Sequence, residues 1–179
     1  MNAIPGTFRE SDNSAVPMSE AKVSWAEVAR NELVRVATVY GGLITYGELA
    51  DEVQTRSGIR TRMLMHYWIV DVLGMVARNC YRLGEPLLSA LCVHADGTIG
   101  DGYGWAIDQT YGGSRPEDLD MHAAEERFKC YRHFGSEMPL DGGRPTLTPK
   151  WRLSVDERPD VPRRSPGPLP ARHATSYSD

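Results

Sequence analysis

Cysteine is scarce in this chain. Cys80, Cys92 and Cys130 are an odd number with no close spacing, which argues against the disulfide framework that staples small secreted domains. Long apolar runs are missing too. A bilayer span needs about 20 consecutive apolar residues, so no membrane partner is expected. The first 22 residues hold no basic cluster followed by an apolar stretch, so no secretory leader is expected. Together these absences suggest a reducing cytoplasm. Positive charge is also not in excess: the formal net charge is −4 over 179 residues. Any attraction for nucleic acid must therefore be local.

The remaining residues divide the chain into three parts. Residues 1–22 are polar, with few large apolar groups, and are expected to be disordered. Residues 151–179 are rich in proline and arginine, a composition of flexible or extended arms. The segment 23–150 is expected to form one domain.

Within it, Ser24 and Glu27 have the spacing of a capping box. Trp25, Val28, Ala29, Leu33, Val36, Ala37 and Tyr40 then recur at helical period up to Gly41 and Gly42. LITY at 43–46 reads as a short strand, and ELADEVQTRSG as a short helix ending at Gly58. IRTR at 59–62 reads as a turn. A long helix is expected over 62–83, because apolar pairs recur every four residues from Trp68/Ile69 to Cys80/Tyr81. Residues 87–95 suit a strand. The Asp96-Gly97 turn then leads into IGDGYGWAI as a return strand. A last helix is expected over 116–134. The expected fold is α+β and mostly helical: a winged-helix-like three-helix core with a small β-hairpin and an added C-terminal helix.

Charge is unevenly distributed. Between 56 and 82, Arg56, Arg60, Arg62, Arg78 and Arg82 face one acid, Asp71. Between 96 and 126, eight acids oppose only Arg115. In a helix-turn-helix the start of the second helix meets the groove and flanking arginines meet phosphates. Arg60 and Arg62 suit that role, with Arg56, Arg78 and Arg82 as further contacts and Tyr46 at the entry. The alternative is a solvated arginine-rich turn held by weak ion pairs. Trp68 is expected in the core. His66 and Tyr67 follow the arginines closely, and exposed aromatics beside arginines suit base stacking.

The thiols allow a second chemistry. Cys92 and His94 alternate on an expected strand and so share a face. Cys130 and His133 lie one helical turn apart. A Cys2His2 zinc site would need the strand and the last helix to touch. Alternate strand residues rarely reach hydrogen-bond distance, which argues against Cys92 as a nucleophile activated by His94. Cys80 reads as a buried small hydrophobe. Asp96, Asp101 and Asp108 read as solvated turn acids. GDGYG at 100–104 lacks, on this reading, the helix start that a phosphate-binding glycine loop requires.

TYGELA at 45–50, the Leu73-Gly74 pair, and LSALCVHADGTIGDGY at 88–103 with its Gly102-Tyr103 ending follow one another in an informative order. In this order the chain resembles the DNA-binding domain of the O6-alkylguanine-DNA alkyltransferases and their alkyltransferase-like relatives. The Pro-Cys-His-Arg motif of that family is absent, since Leu91 precedes Cys92 and Val93 follows it. The resemblance therefore implies a winged helix and duplex binding without alkyl transfer. The expectation is a non-catalytic DNA-binding protein with no cofactor. The alternative is an accessory module that docks a protein partner through its acidic helix or its Pro/Arg tail.

Overall fold

The computed structural model describes residues 6–112 and 115–148. The fold is α+β and mostly helical, as the pattern predicts. In chain order the elements are β1 (Thr7–Arg9), α1 (Met18–Ala37), β2 (Ile44–Thr45), α2 (Tyr46–Ser57), β3 (Ile59–Thr61), α3 (Ile69–Leu83), β4 (Cys92–Val93), α4 (Asp101–Tyr111) and α5 (Leu119–His133). Single 3-10 turns span Met65–Tyr67 and Leu88–Leu91. The Pro/Arg tail at 151–179 lies outside the described residues.

Residues 6–22, expected to be disordered, belong to the fold. β1 pairs antiparallel with β3, with Phe8 opposite Arg60. Thr7, Val16 and Ala21 are buried. A backbone ladder needs no apolar side chains, so the polar composition concealed this strand. It also makes β3 of Ile59–Thr61, within the stretch 59–62 expected as a turn. α1 begins at Met18 after Pro17 with no side-chain cap. The Ser24/Glu27 spacing therefore falls inside the helix.

The core forms where α1 packs against α2 and α3. Trp25 and Trp68 meet with ring centroids 4.4 Å apart, and the Trp25 indole donates to the Ile59 carbonyl at 3.1 Å. α3 starts at Ile69 rather than at 62. The apolar recurrence that supports a helix begins only at Trp68/Ile69, while Arg62, Met63, Leu64, His66 and Tyr67 are all exposed.

The expected hairpin is the largest difference. Leu88–Leu91 is a 3-10 turn, and the two-residue β4 pairs in parallel with β2, Ile44 opposite Cys92. The Asp96-Gly97 turn does form: Asp96 accepts from the Thr98 amide at 2.9 Å, and the His94 amide donates to the Thr98 carbonyl at 2.9 Å. The chain beyond it is α4, not a return strand. Gly102, Tyr103, Ala106 and Ile107 are buried, a helical stripe that local alternation in the sequence disguised. The β-structure is thus two separate two-stranded sheets.

Gly74 sets the α3–α4 crossing, since a Cβ there would overlap the Trp105 ring. α5 starts at Leu119, one turn later than expected, with Asp118 accepting from the Met121 amide at 2.9 Å. Its inner face carries buried polar groups. The Tyr131 hydroxyl donates to the Gly42 carbonyl at 2.9 Å. Arg127 donates to the carbonyls of Ala90 and Thr146. Among the described residues no helix is long and apolar enough to cross a membrane.

Candidate nucleic-acid interface

Thr45 and Glu48 close a capping box at the start of α2. Glu48 accepts from the Thr45 amide at 2.8 Å, and Thr45 Oγ1 accepts from the Glu48 amide at 3.2 Å. This fixes Tyr46, the first residue of α2. Its side chain is almost wholly buried, at 6 % exposure. Burial pushes its phenol well above the ordinary range, and the neighbouring Cys92 and Asp101 add to the shift. Tyr46 therefore remains a proton donor. Among the described residues its hydroxyl has no hydrogen-bond partner, yet it is not one of the fully enclosed orphan atoms, which are Trp68 Nε1, Asn79 Oδ1 and Ser89 Oγ.

Two glycines bring the backbone up to that hydroxyl. A Cβ at Gly100 would lie 3.0 Å from Tyr46 Oη, and one at Gly102 would lie 3.3 Å away. The Gly102 position would also lie 3.2 Å from Val70 Cγ2. Val70 and Gly102 are each the second residue of their helices, so α3 and α4 begin side by side. Neither start has a side-chain cap, with Trp68 and Gly100 at the cap positions. Their first-turn N–H groups keep the partial positive charge of a helix start. The His94 ring lies 4.9 Å from the Tyr46 ring and is exposed. GDGYG was expected to lack a following helix. It opens α4, and so forms a strand, a turn and a glycine-rich helix start in succession. The missed signal was the burial stripe from Gly102 to Ile107.

The arginines are not arranged as a recognition helix would hold them. Arg60 lies on β3, 3.3 Å from Glu10. Arg62 is exposed in the loop before α3 and makes no ion pair among the described residues. His66 is exposed with its ring 4.1 Å from that of Tyr67. Arg56 pairs with Glu52 at 2.8 Å. It lies ten residues along α2 from Tyr46, or about 15 Å of helix rise. Arg78 donates to Gln109 of α4 at 3.1 Å, and Arg82 is exposed in the last turn of α3. The structure groups Tyr46 and His94 with the start of α3, to which the Arg62–His66 loop leads. It sets Arg56, Arg78 and Arg82 apart.

The thiol chemistry does not assemble. Cys80, Cys92 and Cys130 are fully buried, and burial pushes all three thiols up. β4 ends at Val93, so Cys92 points into the core while His94 is exposed and shares no strand face with it. Cys130 is buried and His133 is exposed. Among the described residues no three His, Cys, Asp or Glu side chains gather as metal ligands would. The acids mostly close turns and caps. Hydrogen bonds from Thr98 hold Asp96 below the usual carboxylate range, and Arg115 does the same for Asp108. Glu126 is buried and accepts from the Leu87 amide at 2.8 Å. Asp101 is exposed at the start of α4.

Comparison with protein-family models, with curated proteins and with solved structures finds no match.

Proposed function

We propose that the chain binds duplex DNA, without chemistry on it, at the surface where α3 and α4 begin. The observation that carries this reading is the Tyr46 hydroxyl. It is a buried, protonated donor with no partner among the described residues, set beside two uncapped helix starts. Helix starts and hydroxyl donors are common phosphate contacts, and they position a duplex without reading its sequence. Residues 59–70 contain no acid; Glu10 stands beside Arg60, and Asp71 in the first turn of α3 is paired with Lys22, so Arg62 carries the uncompensated positive charge of the loop leading to this surface. Arg62 is free to meet a phosphate. The Arg60–Glu10 pair is long and exposed, and such pairs contribute little, so Arg60 is available as well. Binding on this reading needs no cofactor.

Arg60→Ala combined with Arg62→Ala should weaken binding on every sequence and lower the salt slope by about two. Asp101→Asn should tighten it, since that carboxylate stands where a phosphate would approach. Fluorescence anisotropy of a labelled duplex measures both. Unchanged affinity in the arginine double variant would remove these contacts. No duplex binding by the wild type would favour the protein-partner alternative.

A further inference from the structure

We infer that Leu64 and Tyr67 form a wedge that enters an unstacked base step, so that the preferred duplex is one already weakened by a bulge. This rests on the DNA-binding reading above and names the kind of DNA that site takes. In the loop between β3 and α3, residues 62–64, 66 and 67 are exposed, and Met65 and Trp68 turn inward. Leu64 is 62 % exposed and Tyr67 is 63 % exposed, with Met63 also outside. Met65 packs against the core, and Trp68 is fully buried against Trp25.

The loop is held from within. The Tyr67 amide donates to the Leu64 carbonyl at 3.0 Å, and the Trp68 amide to the Met65 carbonyl at 3.1 Å. A short hydrogen-bonded turn on a tryptophan base thus presents one aliphatic and one aromatic side chain to solvent. Exposing two large apolar groups together forgoes the stability their burial would give.

Their surroundings select the occupant. Arg60, Arg62 and His66 interleave with them, and 59–70 has no acid. An apolar protein surface would gain nothing from the charges of Arg60 and Arg62, whereas a polyanion meets both features at once. Apolar side chains that enter base steps pay for unstacking, so DNA that is already unstacked binds better. The ring of Tyr67 supplies a stacking face, and His66 packs against it at 4.1 Å.

The test compares two labelled duplexes of one sequence, one fully paired and one carrying a two-nucleotide bulge flanked by 2-aminopurine, a design that follows from the wedge mechanism. The full chain should bind the bulged duplex about tenfold or more tightly, and the 2-aminopurine emission should change on binding. Leu64→Ala with Tyr67→Ala should abolish the preference and the emission change while leaving the salt slope near wild type. Both side chains are exposed, so the thermal melt of this variant should match wild type. Equal wild-type binding to the two duplexes would overturn the wedge and leave the DNA reading standing. A double variant that keeps the preference would overturn the assignment to these two residues. Absence of binding to either duplex at low salt would overturn both readings.

Discussion

Two buried tyrosines separate what holds the fold from what stands ready for a ligand. Tyr131 donates its hydroxyl to the Gly42 carbonyl, and Tyr46 donates to nothing among the described residues. Tyr131→Phe should therefore lower stability by about 1 kcal/mol. Tyr46→Phe should leave stability nearly unchanged and weaken duplex binding about tenfold, the weight of a hydrogen bond to a charged group. Denaturant melts and anisotropy titrations on the two variants check this, and equal loss of stability would contradict it. At this scale the sequence was informative about apolar identity. Trp68 and Cys80 are core residues, as their four-residue recurrence implies. It was blind to burial of charge: Arg127 lies in the last helix beside apolar Phe128, and nothing local shows that its guanidinium turns inward to two carbonyls. The surroundings of the Tyr46 hydroxyl were equally hidden, because Gly100 and Gly102, which approach it, are distant in sequence.

Among the elements, α2 was legible at its end, where Gly58 adopts the left-handed conformation, while its start was read two residues late because Thr45, which caps it, and Tyr46 were assigned to the strand. α4 was not. Its glycines and alternating apolar residues mimic a strand, and its burial stripe has meaning only against α3. The crossing of those two helices depends on Gly74. In an isolated helix Gly→Ala stabilises by about 1 kcal/mol. Here Gly74→Ala places a methyl in the Trp105 ring, and overpacking of this kind destabilises by about 1–3 kcal/mol. The substitution should therefore lower the thermal midpoint, and adding Trp105→Leu should recover part of the loss. A stabilised single variant would show that the helices do not cross there. The same crossing places the starts of α3 and α4 together, so the single variant should weaken duplex binding as well.

At the scale of the whole molecule, buried protonated groups make stability depend on alkaline pH. The thiols of Cys92 and Cys130 and the phenols of Tyr46 and Tyr131 are all pushed up by burial from ordinary values of 9.0 and 10.0. Well below pH 9 these groups are protonated in both states. Above it the unfolded chain releases protons that the native state keeps. The native state then binds more protons, so stability falls as pH rises. Denaturant melts should show a slope approaching 1.4 kcal/mol per pH unit for each group ionised only when unfolded. A flat profile from about pH 8 to 10.5 would contradict the burial of these groups.

Net charge was the most direct whole-chain reading, and it argued against nucleic acid. Residues 59–70 hold no acid, and Arg62 among them makes no ion pair with any described residue. A surface can therefore attract a polyanion on a chain of net charge −4. The measurement that tests this most directly is the affinity of the wild-type chain for a labelled duplex across a salt series. The two arginine contacts with phosphate require the affinity to fall on the order of tenfold between about 50 and 200 mM salt. No binding at the lowest salt, or binding indifferent to salt, would contradict it.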